Sequence, residues 1–261
     1  MTECKASTSA PPTFESLGLD LRLLKAVRKL GLDTPTPVQA RCIPLALAGK
    51  DLLAKAPTGS GKTYAYVVPM LQKVLARQDT APGPTLSPGA LVLVPTRELC
   101  QQVYAVARGL LGHAGAGSVR VAQLAAAADG AALRASRPPD VVVATPAQLL
   151  AHLGAADADG GGSLDRVHTL VVDEADLLLS YGYGDDMAAI GRALPRSVHT
   201  MLLSATLTPD LDTISSLFLH NPATVDCSDD DAVRIMSPHL VALPPALGPW
   251  QRERAMLSRA L

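Results

Sequence analysis

The sequence predicts an α/β domain built on a doubly wound parallel sheet, and two observations support that prediction. Short apolar runs of strand length alternate with segments long enough for crossover helices. The most distinctive polar motifs follow directly after such runs, at the ends of strands where open α/β sheets bind ligands. The predicted strands are Asp51–Ala56, Ala90–Val94, Val119–Leu124, Val141–Ala144, Leu170–Val172 and Met201–Leu203. Their alternation with helical segments indicates helices on both faces of the sheet.

The ends of the chain frame this domain. Residues 1–12 are polar and are predicted to be a disordered tail. Apolar residues recur at helical spacing from Asp20, a suitable N-cap, to Leu30, and Pro37 can open a second helix. We expect one domain over residues 13–226, followed over residues 227–261 by a linker and the start of a second domain.

Composition narrows the class of protein. The chain has 261 residues, of which 48% are hydrophobic, so a sizeable core can be buried. Its formal net charge of −1 argues against a strongly basic nucleic-acid binder, although a local patch could still contact RNA. The four cysteines are scattered, which predicts neither a zinc site nor a disulfide framework and suits a reducing compartment. With no apolar run long enough to cross a bilayer, we expect a soluble, intracellular protein with no membrane partner.

The strongest motif lies between the first predicted strand and the following helix. It consists of Ala56, Pro57, Thr58, Gly59, Ser60, Gly61, Lys62 and Thr63. The glycines permit a tight turn whose backbone N–H groups point at phosphate oxygens, Lys62 can neutralise the phosphates, and the Thr63 hydroxyl can hold Mg²⁺. Ala56 stands where the general phosphate-binding pattern begins with glycine. A glycine-rich turn with a chance Lys-Thr pair is the alternative, and the strand–loop–helix context counts against it.

A second motif, Asp173-Glu174-Ala175-Asp176, directly follows the apolar run Leu170–Val172. Asp173 is predicted to hold Mg²⁺ through water, and Glu174 to orient and deprotonate an attacking water. Such a cluster can also be a simple helix start with acids in its first turn. The phosphate-binding motif upstream favours the catalytic interpretation.

Taken together, these motifs resemble those of the DEAD-box ATP-dependent RNA helicases, and others follow in the same order. These are the Q motif at Gly31–Gln39 with the upstream aromatic Phe14, motif Ia at Pro95–Leu99, the start of motif Ib at Thr145–Pro146 and motif III at Ser204–Thr206. The resemblance covers about residues 13–226. It implies a RecA-like P-loop NTPase domain that uses ATP and Mg²⁺.

The resemblance also implies roles for residues that are otherwise unremarkable. Gln39, whose amide can donate and accept, would read the adenine edge, and Phe14 would offer its ring to the base. Ser204 and Thr206 would hydrogen-bond Asp176 and link the nucleotide site to the RNA side, the alternative being contacts with neighbouring backbone.

The implied RNA contacts follow two other strands. They are made by Pro95, Thr96, Arg97, Glu98, Thr145 and Pro146. The backbone N–H groups of the non-proline residues in these segments would meet RNA phosphates and Arg97 would add charge, unless Arg97 is an ordinary residue of a helix start, paired with an acid.

The chain departs from the family pattern in three places. Ala147-Gln148 stands where the family has Gly-Arg, and the region Gln123–Ala126 lacks the usual Gly-Gly pair, so we expect a weaker grip on RNA. No arginine-rich string of the kind found in the family's second motor domain follows Thr206. We therefore expect this chain to hold only the first motor domain.

Three functions stay open at the level of sequence: an ATP-dependent RNA helicase, a nucleotide-binding module without turnover, and a P-loop NTPase acting on something other than nucleic acid. The strings Leu19–Leu24 and Asp173–Leu178 are similar to the nucleolar, ribosome-biogenesis branch of the family. That similarity implies a monomer acting in ribosomal RNA processing in the nucleus and nucleolus, with pre-ribosomal proteins as partners; a cytoplasmic location is the alternative.

Overall fold

The computed structural model describes residues 12–80, 87–125, 138–157, 163–206 and 209–228. These residues form a seven-stranded sheet in which every neighbouring pair is parallel, in the order β3-β4-β2-β5-β6-β1-β7. The strands are β1 (Leu52–Lys55), β2 (Ala90–Leu93), β3 (Val121–Leu124), β4 (Val141–Ala144), β5 (Thr169–Val172), β6 (His199–Ser204) and β7 (Ala223–Asp226). Because all strands are parallel, the residues that follow them meet at one edge of the sheet.

Helices cover both faces of the sheet. Within the described ranges they are α1 (Leu21–Lys29), α2 (Pro37–Leu47), α3 (Lys62–Thr80), α4 (Arg97–Ala114), α5 (Pro146–Asp157), α6 (Ala175–Ser180), α7 (Gly184–Ala193) and α8 (Pro209–Phe218), preceded by a 3-10 helix at Phe14–Leu17. Alternate residues of each strand enter different cores. Val171 packs with α1 to α4 on one face, whereas Leu170 and Val172 pack with α5 to α8 on the other. The predicted doubly wound α/β fold is confirmed.

Local sequence signals explain where the first helices begin. Asp20 caps α1 by accepting a hydrogen bond from the Arg22 backbone N–H at 2.8 Å. Pro37 occupies the first turn of α2, where its missing N–H has no intrahelical partner in any case.

The seventh strand, β7, was not predicted from the sequence. It lies at the edge of the sheet beside β1, and of its four residues only Val225 is buried. A strand with so little burial has no apolar run to mark it. Its position is set instead by pairing with β1, flanked by hydrogen bonds from Ala223 N to Asp51 O and from Cys227 N to Lys55 O, both 2.8 Å.

Several sequence predictions lie outside the described residues. They include nearly all of the predicted disordered tail, and all but the first two residues of the predicted linker and second-domain segment at 227–261. In the parts of the chain that the structure covers, no helix is both long and apolar enough to cross a membrane.

Candidate functional site

The phosphate-binding motif forms the turn between β1 and α3. Gly59 and Gly61 both adopt left-handed backbone conformations, with φ of 83° and 92°, which an L side chain would strain. Lys62 begins α3 and is only 6% exposed, and its Nζ donates to Ala56 O at 3.1 Å across the turn. The loop therefore has the tight curvature that the motif predicts, with its ammonium group held against it.

One polar atom in this loop fits a phosphate ligand. Ser60 Oγ is buried and has no hydrogen-bond partner among the described residues. A buried hydroxyl without a partner costs free energy, and phosphate oxygens would be natural acceptors for it. Together with Lys62, it makes the donor set of this loop suitable for a nucleotide.

The Gln39 amide connects the Q-like segment to this loop. Its Oε1 accepts from the Thr36 backbone N–H at 3.0 Å, and its Nε2 donates to Gly61 O at 3.1 Å. Each end of the amide therefore has one protein partner and the capacity for one further hydrogen bond, and the residue is only 3% exposed. The adenine-reading role stays a prediction, and the structure adds a role in holding the loop.

Phe14 lies in the hydrophobic core. Its residue is 2% exposed, in the 3-10 helix that packs on α2. No face of its ring is open to solvent in this arrangement, so the structure offers no direct support for its predicted contact with the base. That contact stays a prediction.

The acidic motif begins where β5 ends. Asp173 is 5% exposed; its Oδ2 accepts from the Tyr66 hydroxyl at 2.8 Å, and its Oδ1 from the Glu174 backbone N–H at 2.9 Å. Glu174 has a left-handed backbone, with φ of 52°, before α6 begins at Ala175. Such strain in a residue other than glycine is often found at functional sites.

Burial has the largest effect on the pKa values of Asp173 and Glu174. It raises the pKa of Asp173, with Lys62 acting in the opposite direction, and it also raises the pKa of Glu174, to which the neighbouring Asp173 adds. A divalent cation at Asp173 would favour the ionised carboxylate and offset this effect.

The oxygen-bearing side chains at this site suit Mg²⁺ coordinated as it usually is in nucleotide sites. Throughout the described ranges, no group of three or more His, Cys, Asp or Glu side chains is placed to hold a metal. Magnesium in nucleotide sites commonly needs only one or two protein oxygens, because phosphates and water complete its coordination. Asp173 and the Thr63 hydroxyl are the candidates.

The Ser204–Thr206 segment contacts both motifs. The Ala56 backbone N–H, at the base of the phosphate loop, donates to Ser204 O at 3.1 Å, and Thr206 Oγ1 donates to Asp176 Oδ2 at 2.9 Å. Burial raises the pKa of Asp176, but hydrogen bonds from the Thr206 and Ser204 hydroxyls outweigh it and leave the pKa below the usual range. The predicted contacts of this segment with Asp176 are thus present; their role in linking the two sites stays a prediction.

The predicted RNA residues follow β2 and β4 at the same edge of the sheet. Arg97 and Glu98 are exposed, whereas Pro95, Thr145 and Pro146 are buried. The Thr96 hydroxyl caps α4 by accepting from Leu99 N at 3.2 Å, and Thr145 O accepts from Leu149 N at 3.0 Å in the first turn of α5. Both segments therefore begin helices, and among the six predicted RNA residues only Arg97 and Glu98 are exposed.

The departures from the family pattern have structural consequences here. Ala147 is exposed, and Gln148 Oε1 is buried without a partner among the described residues. On the neighbouring strand, Gln123 Oε1 is likewise buried and lacks a partner in the described ranges. The residues that replace Gly and Arg thus add no positive charge to this part of the edge.

Sequence reasoning missed Tyr66. It lies four residues after Lys62, so helical spacing alone places both on one side of α3. Spacing cannot reveal that its hydroxyl reaches Asp173, because β5 is distant in sequence.

The amino-terminal ends of the strands, opposite the candidate site, carry buried polar groups for which the sequence predicted no function. The Asp51 carboxylate accepts from the backbone N–H groups of Thr200 at 2.8 Å and His220 at 2.7 Å, which ties β1 to its neighbours. Burial, and to a lesser degree the charges of Arg77 and Lys73, lowers the pKa of His168 to about 4.

Known proteins resemble this chain in sequence. A family model described as "DEAD/DEAH box helicase" matches residues 36–214. The chain is 46% identical over 234 residues to ATP-dependent RNA helicase dbp9 of Aspergillus niger, covering 88% of this chain and 37% of that protein. It is 47% identical over 220 residues to the protein of the same name from Emericella nidulans, covering 84% and 35%.

A solved structure shows the same fold. A hypothetical ATP-dependent RNA helicase from Sulfolobus tokodaii superposes with a TM-score of 0.66 at 30% identity, covering 80% of this chain and 57% of that one. The chain spans little more than a third of the length of the curated relatives it matches.

Proposed function

We propose, since the chain belongs to the DEAD/DEAH box helicase family of enzymes, that the whole protein is an ATP-dependent RNA helicase. In this proposal residues 13–226 form its first motor domain, which binds ATP and contacts the RNA backbone. Residues 1–12 are a tail, and residues 227–261 lead into a second motor domain. The relatives that bear this function in their names match most of the chain.

The observation that supports this function best is the continuous connection along one edge of the sheet. The Ser204–Thr206 segment receives a hydrogen bond from Ala56 in the phosphate loop and gives one to Asp176 in the acidic motif. Beyond β5, the next strands along the sheet are β2 and β4, which carry the candidate RNA segments. In this proposal a change at the phosphates is transmitted along this edge to the RNA side.

Different residues of the chain carry out different parts of the proposed reaction. Lys62 and the loop amides hold the phosphates, and Gln39 contacts the base. The predicted contact of Phe14 with the base requires a rearrangement that uncovers its ring. Mg²⁺, held by Thr63 and Asp173, would neutralise charge on the phosphates. Glu174 orients the attacking water and accepts its proton, and its raised pKa makes it a stronger base once it is ionised.

RNA binding is proposed to use backbone contacts at the starts of α4 and α5. Such contacts are insensitive to sequence and weaken as salt rises, because they replace counterions at phosphates. Arg97, with its exposed side chain, supplies charge, and Ala147-Gln148 reduces the affinity relative to a Gly-Arg pair.

We further propose that the RNA is ribosomal and that the protein acts as a monomer in the nucleolus with pre-ribosomal proteins. The similarity of Leu19–Leu24 and Asp173–Leu178 to the nucleolar branch supports this placement. A fluorescent fusion and gradient sedimentation against pre-ribosomal particles test it. Diffuse cytoplasmic fluorescence without co-sedimentation would contradict it.

A steady-state ATPase assay of the 261-residue polypeptide, with and without RNA, tests the activity. We expect weak ATP binding and very slow turnover by this polypeptide, and RNA-stimulated turnover when a relative's second motor domain is added. In P-loop NTPases an arginine finger is worth roughly 10³–10⁵ in rate, which is on the order of 4–7 kcal/mol.

The alternatives give different results in the same assay. Binding without turnover, even with the second domain present, would indicate a nucleotide-binding module. Turnover that does not change when RNA is added would indicate an NTPase acting on another substrate. Lys62→Ala serves as the control for turnover by a contaminating enzyme, since it removes the charge that faces the phosphates.

A further inference from the structure

A buried hydroxyl group faces the acidic motif from the helix that follows the phosphate loop. Tyr66 is 1% exposed and packs in the apolar core, close to Leu52, Ala54 and Met201. A phenylalanine would fill nearly the same volume without bringing a polar group into these surroundings. A hydroxyl here is tolerated only when it is hydrogen-bonded, so its partner matters.

That partner is the candidate metal ligand. The Tyr66 hydroxyl donates to Asp173 Oδ2 at 2.8 Å, while the Glu174 backbone N–H donates to Oδ1 at 2.9 Å. Because each carboxylate oxygen of Asp173 accepts one hydrogen bond, rotation of the carboxylate about the Cβ–Cγ bond is restricted. Each oxygen keeps a further lone pair for another ligand.

The position of Tyr66 couples this carboxylate to the phosphate loop. Tyr66 and Lys62 are four residues apart in α3, and therefore lie one above the other on one side of that helix. The same rigid helix thus supplies the ammonium for the phosphates and the hydroxyl that holds Asp173. Their separation is fixed by helix geometry rather than by the flexible loop.

We propose that Tyr66 is a positioning residue for the Mg²⁺–nucleotide site, which holds the Asp173 carboxylate in the orientation that the metal requires. This inference rests on the proposed function, because it assumes that Asp173 serves bound Mg²⁺. Groups that orient the ligands of a metal commonly contribute about 10- to 100-fold to metal affinity or activity.

The test compares Tyr66→Phe with the wild-type chain by titrating a fluorescent ATP analogue in excess Mg²⁺ and in EDTA. In Mg²⁺, Tyr66→Phe is expected to lose about 10- to 100-fold in affinity. In EDTA, the affinity should stay within about twofold, since in this proposal the hydroxyl affects nucleotide binding through the metal ligand. Tyr104→Phe is the matched control: its hydroxyl accepts from Arg108 Nη1 at 3.2 Å on α4, away from the site, and both affinities should be unchanged.

A second comparison separates positioning from packing. In an Asp173→Asn background, Tyr66→Phe should have no further effect on the Mg²⁺ dependence, because the group it positions is already changed. An equal loss of affinity in Mg²⁺ and in EDTA would show that Tyr66 is only part of the core, and would overturn the inference. An unchanged Mg²⁺ dependence in Tyr66→Phe would overturn it as well.

Failure of the proposed function has its own signature. If the wild-type chain gains no affinity for nucleotide from Mg²⁺, the nucleotide site itself is wrong and the inference falls with it. If Tyr66→Phe does not fold, fluorine NMR of the wild-type chain labelled with 3-fluorotyrosine replaces it, with signals assigned by substituting the other tyrosines. The Tyr66 signal should then move when Mg²⁺ is added to the nucleotide-bound chain, and a signal that does not move overturns the inference.

Discussion

Gly61→Ala should destabilise the chain far more than Gly59→Ala, although both glycines lie in the same loop. Both have positive φ, so alanine at either position costs about 1–2 kcal/mol of backbone strain. They differ in space: a Cβ on Gly61 would lie 2.6 Å from Gln39 Nε2 and 3.1 Å from Thr36 Oγ1, whereas a Cβ on Gly59 meets nothing within 4 Å. The Gln39 side chain relieves this crowding by moving away, which breaks its hydrogen bond to Gly61 O, and Thr36 must also shift. Together these changes add about 1–3 kcal/mol.

The expected difference in the free energy of unfolding between the two variants is therefore roughly 1–3 kcal/mol. Urea denaturation without nucleotide measures it, because the unfolded chain gains the same restriction from alanine at either position. Combining Gly61→Ala with Gln39→Ala removes the nearest of the atoms that the new methyl group meets and leaves only Thr36. The double variant should therefore lose less stability than the sum of the single variants. Equal destabilisation by the two glycine variants, or strict additivity with Gln39→Ala, would refute the predicted contact between the Q-like segment and the loop.

Three further predictions concern ligands and pH. Lys62→Ala should abolish measurable binding of a fluorescent ATP analogue. Glu174→Gln should spare binding but block turnover once a second motor domain is present. Continued hydrolysis by the Glu174→Gln variant would exclude Glu174 as the base. Replacing Ala147-Gln148 with Gly-Arg should strengthen RNA binding in a filter assay and steepen its salt dependence, and unchanged affinity would show that the departure is silent. Because the pKa of His168 is lowered to about 4 in the folded chain, its contribution to stability is present above pH 6.5 and is lost as the pH falls toward 4. His168→Gln should therefore flatten this part of the stability curve in urea titrations at several pH values.

The elements around the phosphate loop could be predicted closely because their signals are local. β1, the loop and α3 follow one another in the chain, and each is marked by residues within a few positions of its ends. The capped start of α1 and the proline at the start of α2 are local in the same sense. In contrast, β7 was missed because its single buried residue leaves no apolar pattern, and only pairing with β1 defines it.

The sequence by itself determined the family and the doubly wound fold, and it predicted which residues form the phosphate loop and the acidic motif. Those features are carried by residue type and short spacing, which need no knowledge of distant contacts. Only the tertiary structure decided that Tyr66 holds Asp173, that Gln39 reaches Gly61, and that Phe14 is enclosed in the core. These contacts join residues on separate elements, and in the first of them the two residues are 107 positions apart. The sheet order brings such residues together, and no local pattern in the chain records which polar group will face which.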